Sequence, residues 1–64
     1  MATRKIFTVN AAHGLNLRKA PSKEARVLRI LTDGEKITAD NNISSPDGWL
    51  AVKGGGFVMT QFIK

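Results

Sequence analysis

Apolar and polar residues alternate over short stretches of this chain, and turn-forming residues interrupt them before any stretch grows long. In Leu15–Arg18, leucines occupy every second position, and Asn16 and Arg18 take the positions between. Similar segments rich in β-branched, leucine or aromatic residues occur at 6–9, 26–31, 35–40, 49–53 and 57–59. Between them lie His13–Gly14, Ala20–Pro21–Ser22, Thr32–Asp33–Gly34, Ser45–Pro46–Asp47–Gly48 and Gly54–Gly55–Gly56. Short strands separated by turns at near-regular spacing predict a small all-β barrel or sandwich of five to six antiparallel strands. Both prolines fall in turns, where no ladder hydrogen bond is lost.

One segment reads two ways. Ser22–Leu31 suits a helix, with Ser22 as N-cap, Glu24 in the first turn, and Ala25, Leu28 and Leu31 three residues apart. The apolar cluster covers only about two turns, however, and helices that short are marginal. A strand over 26–31 is the expectation. Side-chain alternation then nominates a core of Phe7, Val9, Leu15, Leu17, Val27, Leu31, Ile37, Leu50, Val52, Val58 and Ile63. It also places Leu50 and Val52 on one face of their strand, opposite Trp49, Ala51 and Lys53. The three glycines read as a hairpin tip.

Length sets a limit on what this core achieves. The 64 residues make one domain, 1–64, and a domain of this size buries only about 60% of the surface its unfolded chain exposes. There is no cysteine, so no disulfide, thiolate metal site or thiol nucleophile is available. No apolar run approaches the ~20 residues that cross a bilayer, so membrane insertion is not expected. The basic start MATRKIFTVN lacks the apolar stretch of a signal peptide. A cytoplasmic location follows if the chain is complete, and a cell-wall or extracellular one if it is a module of a secreted protein.

The net charge of +5 is unevenly spread. Up to Arg29, the cations Arg4, Lys5, Arg18, Lys19, Lys23, Arg26 and Arg29 face Glu24 alone. From Ile30 onward, three lysines face four acids. Arg18, Lys19, Arg26 and Arg29 are therefore candidate contacts for an anionic partner, protein or nucleic acid. Surplus lysine and arginine also serve solubility, which is the plainer reading. Aromatic residues are 6% of the chain and do not interleave with the cations as a nucleic-acid stacking platform requires.

Five features in order resemble the bacterial Src-homology-3 domain (SH3b). They are LNLR followed by Pro21–Ser22; Val27, Leu28 and Leu31; the DGEKI turn; DGWLAV; and GFVMTQFI, with Phe57 where the family usually has tyrosine. The likeness runs from Leu15 to Ile63. It implies an SH3-like barrel in which Leu15 and Leu17 are core, while Arg18 and Lys19 lead into a long diverging loop. It also implies a recognition module for peptidoglycan stem or cross-bridge peptides. Arg18 in such a loop either ties it to backbone carbonyls or an acid, or contacts an anion at the groove.

Catalysis is not expected. His13 is the sole histidine and sits in a turn, and the five carboxylates form no evident acid–base pair. Asp40, Asn41, Asn42 and Asp47 lack the ordered pattern of a calcium loop, so neither a metal nor a cofactor is expected. Asn42–Ile43–Ser44 is formally a glycosylation sequon. The better signal is aromatic. Trp49 and Phe57 enter paired strands across the glycine turn, with His13, Asn41 and Asn42 as candidate polar rims of a ligand groove. Trp49 otherwise plugs one end of the barrel, and a half-buried ring satisfies both roles. A peptide-binding module is thus the leading expectation. The alternative is a small intracellular protein, of phage or mobile-element type, that binds a host protein or nucleic acid through its basic half. Edge strands leave dimerisation open.

Overall fold

The computed structural model describes residues 5–64. Six short strands follow in chain order: β1 (Ile6–Thr8), β2 (Leu15–Arg18), β3 (Val27–Leu31), β4 (Lys36–Thr38), β5 (Trp49–Ala51) and β6 (Phe57–Met59). A single 3-10 turn, Thr60–Phe62, follows β6, and no α-helix occurs among the described residues. This is a small all-β protein, and every strand pairing in it is antiparallel. Residues 22–25 form turns and 27–31 a strand, so the helical reading of Ser22–Leu31 is not realised.

The strands make two sheets, β1–β4 and β3–β2–β6–β5, and no closed barrel. Single bridges join them, Ala39 to Val52 and Val9 to Ile63. Around the second bridge, Thr8 and Lys64 exchange both backbone hydrogen bonds at 2.8 and 3.0 Å, and the Asn10 N–H donates to the Phe62 carbonyl at 2.7 Å. The C-terminal residues therefore line the edge of β1 that β4 leaves open.

The core between the sheets is Val9, Leu15, Leu17, Leu31, Ile37, Val52 and Val58, with Phe7, Ala11, Leu50 and Ile63 packed partly against it. Alternation identifies most of these residues correctly and fails at two places, each for a local reason. Val27 was expected inside but is 39% exposed. Leu17 pairs with Arg29 and Arg18 with Val27, so Leu28 is an extra residue on β3. Such a bulge reverses the phase of the strand, and Val27 follows Arg18 to the outer face.

The second failure is Ala51, expected to face outward but buried along with Val52, while Leu50 is only half-buried. Here the chain changes partner. The Asp40 N–H donates to the Ala51 carbonyl, the Lys53 N–H donates to the Thr38 carbonyl, and the Val52 N–H donates to Gly56 across the hairpin. Residues 51–53 thus close β5 against β6 and also reach β4, so both neighbouring side chains are covered. Ala39, opposite Val52, is buried by the same junction.

The turn between β3 and β4 ties the two sheets together. The Val9 N–H donates to the Glu35 carbonyl and the Gly34 N–H to the Val9 carbonyl, both at 2.8 Å. The Ala11 N–H donates to Asp33 Oδ1 at 2.9 Å. Glu35 holds the turn from within: its Oε1 accepts from the Thr32 N–H at 3.1 Å, and its Oε2 accepts from Arg29 Nη2 at 2.8 Å. The Arg29 guanidinium first, and the Thr32 N–H second, hold the Glu35 carboxyl below the ordinary glutamate range. A carboxylate whose pKa is lowered by folding stabilises the fold above its unfolded value and loses that effect as pH falls through its folded value. Glu35→Gln should therefore be less stable than wild type at pH 7. The difference should shrink once pH drops below about 4.3 and vanish under the folded pKa. Urea titrations at pH 7, 4 and 2.5 check this, and a gap unchanged at pH 2.5 would show that ionisation is not its source.

Candidate functional site on the outer sheet face

Pairing across β2, β6 and β5 places particular side chains on the side of the larger sheet away from the core. Arg18 is opposite Phe57, Phe57 is opposite Ala51, and Met59 is opposite Trp49. Continuing the Arg18–Phe57 register two residues along each strand brings Asn16 opposite Met59. At this point the surface carries a recess of about 200 Å³, lined by Gly14, Leu15, Asn16, Arg18, Met59 and Phe62. Met59 and Phe62 are its apolar residues outside the core, and Asn16 and Arg18 its polar ones.

Gly14 shapes one side of the recess. Its φ is +89°, and a Cβ there would lie 2.8 Å from Ile30 Cγ2 and 3.2 Å from the Leu31 carbonyl oxygen. Only glycine meets both the backbone angle and the close approach. β3 therefore packs directly against the turn that feeds β2.

Arg18 serves structure as well as surface. Its Nη1 donates to the Ala25 carbonyl at 3.0 Å, across the loop that joins β2 to β3. The Lys19 N–H donates to the Arg26 carbonyl at 2.8 Å and closes the same loop at its base. Within the loop, Ser22 Oγ accepts from the Glu24 N–H and the Ser22 carbonyl accepts from the Ala25 N–H. Of the two roles left open for Arg18, the tether to a backbone carbonyl is present, and the residue also lines the recess.

The other expected site residues are more scattered. Trp49 and Phe57 are half-buried on neighbouring strands. Trp49 is fixed by its N–H donating to the Pro46 carbonyl and its carbonyl accepting from the Ser45 hydroxyl. Neither aromatic ring lines the recess, although Trp49 pairs with Met59, which does. His13 is exposed in the turn just before Gly14. Asn41 and Asn42 lie on an exposed turn after β4, where the Asn42 N–H donates to Asp40 Oδ1. The structure does not gather His13, Asn41, Asn42, Trp49 and Phe57 around one cavity.

The cations divide into two groups. Lys19, Lys23 and Arg26 are exposed on the β2–β3 loop, and no carboxylate among the described residues bridges to them. Arg29 instead pairs with Glu35. Arg4 lies outside the described residues. Among those residues no three of His, Cys, Asp and Glu cluster as metal ligands, and no helix is long and apolar enough to cross a membrane.

The recess residues that sequence reasoning passed over are Gly14, Asn16, Met59 and Phe62. A hairpin centred on Gly54 does place Met59 opposite Trp49, so that much was available in the spacing. The β2–β6 pairing joins segments distant in sequence and was not.

No protein-family model, curated protein or solved structure matches the chain.

Removing the Arg18 tether gives a direct check on the loop. Arg18→Ala should cost about 1.5–3 kcal/mol, the value of a charge-assisted hydrogen bond, and speed amide exchange across residues 20–25. Exchange unchanged in that loop would show that Arg18 does not hold it.

Proposed function

We propose that this chain is an SH3-like barrel related to the bacterial SH3 domains, and that it acts as a non-catalytic binding module. Its ligand is a peptide, of the peptidoglycan-derived class suggested by the family likeness. The peptide lies across the outer sheet face from Trp49 to the recess beside Phe62.

One observation carries this reading: Met59 and Phe62 line, with Asn16 and Arg18, a recess of about 200 Å³, and part-exposed Trp49 pairs with Met59 beside it. Sites that enclose a small molecule usually run to about 300–1,000 Å³. A recess of the present size suits one or two side chains of a ligand whose remainder stays outside. Aromatic and arginine residues are also the types that most often dominate binding energy at such contacts. The sequence features from Leu15 to Ile63 and the two bridged antiparallel sheets support the barrel assignment.

The second reading, a host protein or nucleic acid held by the basic half, draws on the unpaired Lys19, Lys23 and Arg26 of the β2–β3 loop. Salt separates the two. In an NMR titration of labelled protein, a muropeptide should shift the amides of Asn16, Arg18, Trp49, Met59 and Phe62 equally at low and high salt. Trp49→Ala and Phe62→Ala should each weaken it by about tenfold, close to 1.4 kcal/mol. Short duplex DNA that shifts only Lys19, Lys23 and Arg26, with log K falling by about 0.9 per phosphate contact against log salt, would replace this reading with the second. Silence with both ligands would remove both.

A further inference from the structure

β3 is the longest strand and the least covered. It lies at the end of the larger sheet and pairs only with β2. No backbone group of Val27–Leu31 has a hydrogen-bond partner outside that pairing among the described residues. Val27, Leu28 and Ile30 are 39, 47 and 62% exposed. An open edge with apolar side chains is a template for another strand, and native proteins usually shield it.

The bulge at Leu28 sorts the edge by chemistry. Val27 faces outward with Arg18, and Ile30 faces outward with Asn16, next to the recess through Gly14. Arg29, opposite Leu17, takes the other face, and alternation sets Arg26, one residue before Val27, towards that side too. Val27 and Ile30 thus lie on one side of the edge and Arg29 on the other. Lys19 and Lys23 stand at its Arg26 end.

We propose that this edge takes an extended acidic peptide segment as an added antiparallel or parallel strand, with carboxylates alternating with branched aliphatic residues. The proposal goes beyond the recess reading: it is a second peptide site, on a different edge of the same fold. Alternation in the added strand sets aliphatic side chains beside Val27 and Ile30 and carboxylates beside Arg26 and beside Arg29, whose guanidinium also holds Glu35. Charge decides against a second copy of this chain. Pairing β3 with itself brings Arg29 of one copy, with Arg26 beside it, towards the same cations of the other, and joins two chains of net charge +5.

The probe is a capped decapeptide alternating glutamate and valine, added to the labelled full chain at low and moderate salt. The expected result is shifts and slowed amide exchange confined to Val27–Leu31. Arg26→Glu, an exposed substitution, should weaken binding about fivefold, as should glutamine in place of glutamate in the peptide. N-methylation of alternate peptide residues in one phase should abolish binding, and the opposite phase should be tolerated. Shifts at Asn16, Met59 and Phe62 with β3 silent would overturn strand addition and leave the recess reading standing. Protection of β3 amides on raising protein concentration alone would overturn the acidic occupant in favour of a second copy. Duplex DNA producing the same β3 shifts, or no response to the peptide at all, would likewise overturn it. The muropeptide titration judges the recess separately.

Discussion

Leu17 and Gly56 approach each other so closely that a methyl group on Gly56 would lie 2.6 Å from Leu17 Cδ1 and 2.7 Å from Cγ. Real contacts of that length do not persist, so something must shift. Gly56 also has φ +99°, a conformation that side-chain-bearing residues rarely adopt. This one approach sets how near the β5–β6 hairpin comes to β2. The next residue, Phe57, pairs with Arg18, and from that pair the register runs to Met59, Asn16 and Trp49. The recess and the core face of Val58 both follow from it.

A second constraint governs the opposite side of β2. The extra residue at Leu28 lets β3 pair with β2 at both ends although its two halves are out of phase. Leu31 is consequently sealed in the core, while Val27 and Ile30 are turned to solvent. In so small a domain there are not enough elements to cover every strand. The uncovered one also carries Arg29, with Arg26 just before it. The same bulge that spoils the core pattern thus makes a surface with separate apolar and cationic sides.

Much of this architecture is legible in the residues. The turn signals place all six strands, and strict alternation in Leu15–Arg18 assigns two core leucines correctly. Val9, Leu31, Ile37, Val52 and Val58 are also buried as expected. Alternation does not reveal where a strand changes partner or gains a residue, because both depend on segments far away in sequence. Val27 and Ala51 are misplaced for that reason. The strands are also shorter than their apolar stretches: β4 ends at Thr38 and β5 at Ala51, where the chain turns to bridge the sheets. At the site, loop tethering by Arg18 was one of two roles that the family likeness left open, and the hydrogen bond to Ala25 shows it. The grouping of Met59 and Phe62 with Asn16 was not, since it needs the β2–β6 register.

The most direct test of this account compares Gly56→Ala with Gly55→Ala. Both residues have positive φ, but a Cβ on Gly55 would meet nothing within 4 Å. Each substitution therefore carries a backbone cost of about 1–3 kcal/mol, and only the first also meets Leu17. Equilibrium unfolding in urea, with amide spectra of the folded fraction, should find Gly56→Ala the less stable of the two. Its amides at Leu17, Arg18, Phe57 and Met59 should be displaced, while Gly55→Ala changes the hairpin tip alone. Equal losses of stability, with the β2 and β6 amides undisturbed in both variants, would contradict the claim that this contact sets the sheet and the recess upon it.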